Sequence, residues 1–336
     1  MKINRISFLL VAGVCAFSGC TKSSGGSKKN TSSVTSQTPG SNEPAPYENV
    51  YPDYEKHYEG YNFQTQLGNN LQFELHKYFI EKHTTYVTYG NYWYYANTAT
   101  DLIPGTETNE LFYTGKTIER TSHASIDREH VWACAKSNGL WWRSSPIYEY
   151  NIAERNDKYW GGGSDLFHVR PATGTSINQK RLDAAFYVFD DSELSQQTML
   201  TDGGPYKCYV DDAANKFQVD KAFRGDIARI IMYMWLHYSI IGDVNVYYSP
   251  EYTPVYSLDD AVEFSSEHNP NVCGNLILTS ILAYNTVEEC YAVLKEWNRI
   301  DPPSAVEVNR NNYVESIQGN RNPFIDYPQL VDRCLI

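Results

Sequence analysis

The chain has 336 residues, 42% of them hydrophobic and 14% aromatic, enough for a full core in one large or two small domains, so disorder is not its default state. The formal charge is −12, and removal of Lys2 and Arg5 with the leader described next takes it to −14. Net charge alone therefore excludes attraction of a polyanion, which would need a local basic patch or a bound cation.

Met1 to Arg5 is short and basic, Ile6 to Phe17 is apolar, and Phe17-Ser18-Gly19-Cys20 ends the run on small residues before a cysteine. The run is too short for a permanent membrane helix. Residues 1–20 resemble a lipoprotein-type signal with Cys20 as the lipidated residue, and an ordinary cleaved secretory signal is the alternative. Residues 21–46 are Ser, Thr, Gly, Asn, Lys and Pro without apolar period, the composition of a flexible tether. The folded region is expected over residues 47–336. Five cysteines remain after the leader and Cys20: Cys134, Cys208, Cys273, Cys290 and Cys334. An odd number leaves at least one thiol free, and the absence of Cys-x-x-Cys gives no support to a zinc ribbon.

Leu71, Leu75, Tyr78 and Phe79 predict a helix over Leu71–Lys82. The β-branched and aromatic run Thr84–Tyr89 predicts a strand or extended segment, and Leu111–Thr114 before Gly115 a short strand. Gly225–Tyr238 is apolar almost all round and predicts a buried core helix. Thr286 and Glu289 form a capping box that opens an amphipathic helix with Cys290 on its core face. Ser304 and Glu307 open another that stops before Gly319.

Between these lies the stretch from Asp127 to Arg181. Asp127-Arg128-Glu129-His130-Val131-Trp132 reads as a short strand, and Asp165-Leu166-Phe167-His168-Val169-Arg170-Pro171 as a strand leading into a helix after Gly174. Neighbours on a regular strand face opposite ways, so Glu129 and His130 can serve one site only at a strand end or bulge. Ser176 and Gln179 suggest a capping box, which puts Asn178, Lys180 and Arg181 near a helix start, where backbone N–H groups favour an anion. Such groups suit hydrolysis of a phosphodiester. His130 is the candidate base, Glu129 and Asn178 supply hard oxygens for magnesium or calcium, and the cation supplies the positive field an acidic chain lacks.

Arg128–Trp132, Asp165–Pro171, Asn178 with Lys180-Arg181, Arg224–Arg229 and Ile317–Asp326 together resemble the bacterial endonuclease I family of His-Me finger (ββα-metal) nucleases. The resemblance implies an α+β fold in which a ββα-metal finger is embedded in a mainly helical single domain. It also implies a metal-dependent endonuclease with little sequence preference, cutting DNA and often RNA and leaving 5′-phosphate ends. By the same resemblance His130 is the general base, Glu129 and Asn178 hold one Mg2+, Ca2+ or Mn2+ ion, and an arginine, with Arg181 the best placed, stabilises the scissile phosphate. Arg128, His168 and Arg170 remain candidates for substrate contact or support, and His168 serves equally well as a core histidine orienting the hairpin. Phe167 stands where many relatives have a histidine. Ala133-Cys134-Ala135 replaces the usual run into proline, so the strand exit is expected to differ.

Nucleic acid is thus the expected substrate, and a lipid anchor at Cys20 the expected tie to the cell surface, with a secreted soluble form as the alternative. An inactive nuclease-fold lipoprotein that binds extracellular DNA is a second functional class. A serine esterase is not supported, since no Gly-x-Ser-x-Gly elbow is present.

Overall fold

The computed structural model describes residues 53–136 apart from 86, 88, 97–99 and 123, then 162–239 and 276–336, with a small strand pair at 247–248 and 254–255. Cys20, the leader, the tether and Cys273 lie outside the described residues, as does the side chain of Cys134. Residues Pro44–Ile336 form one compact unit.

Its centre is the helix Arg224–Tyr238, packed between the helices Gly68–Lys82 and Val287–Ile300. Leu236, Ile227, Ile231, Met232 and Met234 of this helix are inaccessible to solvent. Burial all round a helix needs close neighbours, and Gly225 provides one approach: a Cβ there would fall 1.8 Å from the Asp301 carbonyl oxygen. The one cation buried on this helix, Arg229, is neutralised where it sits. It donates to Glu307 at 2.8 and 2.5 Å, to Asp226 at 3.2 Å and to Asn298 at 3.1 Å.

The two capping boxes predicted at Thr286/Glu289 and Ser304/Glu307 are formed, opening the helices Val287–Ile300 and Ala305–Gln318, and Gly319 closes the second with φ 89°. Cys208, Cys290 and Cys334 are buried free thiols. Burial raises the Cys290 thiol to about 11, so it is inert.

β1 (Thr108–Glu110) and β2 (Thr117–Glu119) form one antiparallel pair. β3 (Ile126–His130) and β4 (Val169–Thr173) form another, with Glu129 opposite Arg170 and His130 opposite Val169. A four-stranded sheet takes β5 (Ala185–Phe186), β8 (Lys216–Gln218), β7 (Cys208–Asp211) and β6 (Thr198–Leu200) in that order. β4 runs into a π turn, Gly174–Asn178, and a short helix, Gln179–Arg181. This is the ββα unit, set in a mainly helical unit as expected.

Three local expectations are corrected. Thr84 and Thr85 are not in a strand: their N–H groups donate to the Gln318 carbonyl, so the segment is tied to a helix end. Phe112–Thr114 is a turn and Leu111 is irregular, and the strand lies just before them in β1. No cap hydrogen bond forms at Ser176/Gln179. The Gln179 amide turns to Asp127 at 3.2 Å, and the helix it begins has three residues, too few for an anion site at its start.

Candidate active site and metal centre

β3 has two faces, and period-two alternation sorts the site residues between them. Asp127 and Glu129 face the π turn and its helix, while Arg128 and His130 face Tyr89. His130 is the last residue of β3, and its side chain faces the opposite way from that of Glu129.

On the first face Glu129 is 2% exposed. Its Oε1 accepts from the Tyr113 hydroxyl at 2.7 Å and from the Arg181 guanidinium. Burial raises its carboxyl above the ordinary range, and Arg181 and the Tyr113 hydroxyl pull it back. Asn178 donates from Nδ2 to Asp127 Oδ2 at 3.3 Å. Asp127 fits against Gly174, where a Cβ would come 2.8 Å from that oxygen. The hydrogen bonds described for Glu129 fall on Oε1 and the one described for Asn178 on Nδ2, so Glu129 Oε2 and Asn178 Oδ1 are the oxygens these side chains could offer to a hard cation.

Arg181 is placed differently from its expected contact with phosphate. It is 1% exposed and donates to Glu129 and to the carbonyls of His130 at 2.9 Å and Val131 at 2.8 Å, with Phe186 under the guanidinium at 4.5 Å. It therefore holds the carboxylate and the end of β3 in place. Burial disfavours its charge, but Tyr113 and Glu129 outweigh that and its pKa is raised.

On the second face His130 Nε2 lies 2.7 Å from the Gly163 carbonyl, and its ring stacks on Tyr89 at 5.5 Å between centroids. A carbonyl only accepts, so in the neutral ring the proton is on Nε2 and the lone pair on Nδ1. Arg128 also lies over the Tyr89 ring, at 3.6 Å, and donates to the Tyr89 carbonyl at 2.6 Å.

His168 is fully buried. Its Nε2 accepts from the Trp132 N–H at 2.9 Å, so Nδ1 carries the proton and donates to Gly162 at 2.9 Å. Burial, then the neighbouring His130, holds its pKa well below the usual histidine range, so it stays neutral and ties the exit of β3 to the Gly162–Gly163 turn. Arg170 is likewise internal, donating to Asp101 at 2.9 Å above the Phe112 ring at 4.2 Å. Of the arginine and histidine candidates, Arg128 and His130 share one face, and His168, Arg170 and Arg181 support from within.

A second donor set was not legible in the sequence. His83, Asp165 and His237 each offer one ligand atom, all within 4.8 Å of one another, and can hold a single divalent ion. His83 Nδ1 and His237 Nδ1 lie 3.8 and 3.9 Å from Asp165 Oδ2. Burial lowers His83 to about 4 and holds His237 well below the usual histidine range, which keeps both imidazoles neutral as metal binding requires. The same Asp165 oxygen accepts from Tyr233 and Tyr238 at 2.7 Å each. With exposures of 1% and below, this triad is closed to a nucleic acid, so an ion here would be held by protein ligands. Gln318 and Asn320 join the same network through Leu166 N at 2.8 Å and Tyr233 at 2.8 Å, so the Gln318–Asn322 run is structural.

A ββα unit with a strand-end histidine, an adjacent carboxylate, an asparagine on the turn into its helix and a His-Asp-His set for one divalent ion defines a metal-dependent nuclease, a phosphodiester hydrolase. The pattern of one such family, Endonuclease I, matches residues 59–249 and 278–329, and the chain belongs to that family. It is also similar to the extracellular ribonuclease of Bacillus subtilis (strain 168), 28% identical over 84% of this chain and 79% of that protein. The extracellular ribonuclease of Bacillus amyloliquefaciens is 27% identical over 79% of this chain and 73% of that protein.

Proposed function

We propose that the protein is a sequence-nonspecific endonuclease that cuts DNA, and RNA as well, outside the cell and leaves 5′-phosphate ends. The observation that supports this reading is the ββα unit itself, with Glu129 and His130 at the end of β3, Asn178 on the turn after β4, and His130 Nε2 on the Gly163 carbonyl so that in the neutral ring Nδ1 bears the lone pair. In this reading His130 Nδ1 takes the proton of the attacking water. Glu129 and Asn178 hold the catalytic ion, which when bound supplies positive charge to the phosphate as negative charge develops on it. Arg181 keeps Glu129 oriented, and Arg128 fixes Tyr89 against the His130 ring. RNA is included because both similar Bacillus proteins are extracellular ribonucleases.

The export reading rests on residues 1–20 as a lipoprotein-type signal, with Cys20 lipidated and residues 21–46 as the tether to a nuclease domain over 47–336. No helix among the described residues is long and apolar enough to cross a membrane. A secreted soluble form is the alternative.

A surface lipoprotein that binds extracellular DNA without cutting it is the second reading. The observation favouring it is the engagement of Glu129 by Arg181 and Tyr113, which opposes capture of a cation. Plasmid nicking with magnesium, and its loss in EDTA, separates the two. A protein that retards plasmid on a gel yet never nicks it would overturn the enzyme reading.

A further inference from the structure

We infer that Asp127 is a positioning residue that fixes which end of the Asn178 amide faces the cation, a role that rests on Asn178 being a ligand. The amide of Asn178 can face Asp127 in two ways, related by a half-turn about its last side-chain bond. A carboxylate only accepts, so the Nδ2 end turns to it, at 3.3 Å, and a carbonyl there would set two acceptors against each other. Oδ1, the donor a hard cation needs, is thereby directed away from Asp127. The place is built for this carboxylate. Gly174 omits the side chain that would meet it at 2.8 Å, and Gln179 Nε2 donates to the same oxygen at 3.2 Å, so the carboxylate is pinned from two further sides.

The spacing brings the device into register with the other ligand. Asp127 is two residues before Glu129 on β3, so both carboxylates lie on one face of the strand. The π turn, which follows β4 at once, delivers Asn178 to the first of them. Asp127 is thus bound to the metal site through Asn178 and not as a ligand of its own.

A double-mutant cycle on the full-length protein tests this, read as Mn2+ affinity by calorimetry without nucleic acid. Asp127→Ala should weaken Mn2+ binding about 10-fold, the lower end of what such outer partners contribute, and in the Asn178→Ala background it should change nothing. Asp127→Asn keeps an accepting oxygen and removes the charge, so it should retain most of the affinity. Multiplying effects in the double variant, or a loss in Asp127→Asn as large as in Asp127→Ala, would overturn the role, because either makes Asp127 a ligand or a field source. If Asn178→Ala binds Mn2+ like the wild type, the ligand assignment itself falls and this inference with it. Wild-type affinity in Asp127→Ala alone removes only the inference.

Discussion

Arg181 donates to the buried carboxylate of Glu129, 52 residues earlier in the chain, and the same guanidinium holds the carbonyls of His130 and Val131. The pair closes the short helix onto the end of β3, so one arginine sets both the carboxylate and the backbone that carries the histidine. Breaking such a buried pair leaves an uncompensated charge, a loss of about 3–5 kcal/mol. Arg181→Ala should therefore lower the urea midpoint strongly. Magnesium should restore part of the lost stability, because a cation at Glu129 replaces the missing charge. A variant as stable as the wild type without metal would show that the pair contributes little.

His130→Ala should keep the fold and lose about 10²–10⁴ in cleavage rate, the usual contribution of a general base. Plasmid nicking at saturating magnesium measures it, and a rate near wild type would assign the base to another residue. His168→Ala is the contrast. It strands the Trp132 N–H and the Gly162 carbonyl, so about 1–3 kcal/mol of stability should go, with a smaller loss of rate.

Glu129→Ala and Asn178→Ala separate charge from geometry at the catalytic ion. Removing a full opposing charge should raise the half-saturating magnesium concentration more than removing a neutral carbonyl. Extra magnesium should recover Asn178→Ala in part and Glu129→Ala less. Unchanged half-saturation in both would move the catalytic ion away from these residues.

Acid should destabilise the protein through its buried neutral histidines. Burial lowers His76 and, with His130, His168, and it takes His83 to about 4. The unfolded chain, with histidines near 6.5, then binds more protons than the folded one. The stability from these groups is complete above about pH 6.5 and is lost as pH falls toward 4, by up to about 1.4 kcal/mol per pH unit per group. Urea midpoints at pH 7.5, 6.5 and 5.5 should fall in that order, and a flat series would contradict neutral burial.

Labelled palmitate should enter the wild-type protein and not Cys20→Ser, and the wild type alone should sediment with membranes. Absence of label in the wild type would favour the secreted soluble form.

Much of the helical frame was legible because its determinants are local. The capping boxes at Thr286/Glu289 and Ser304/Glu307 and the apolar run of Gly225–Tyr238 each act within a few turns of one helix. The expectation for Glu129, His130 and Asn178 came from ordered motifs, and side-chain alternation alone says that the first two can share a site only at a strand end or bulge. The inward turn of Arg181 and Arg170 was not legible, because an arginine has the same sequence signature on a phosphate or on a buried carboxylate. Only the positions of Glu129 and Asp101 decide between them. Thr84 and Thr85 are not in a strand for a related reason, since Gln318, more than 200 residues away, takes the hydrogen bonds a neighbouring strand would have supplied. His83, Asp165 and His237 share no spacing, and their meeting depends on the helices Gly68–Lys82 and Arg224–Tyr238 packing side by side. Sequence by itself determined the local elements and the chemistry of the motif. Tertiary structure alone decided which buried charges pair and which donors converge, because those energies depend on distances between segments that no local pattern encodes.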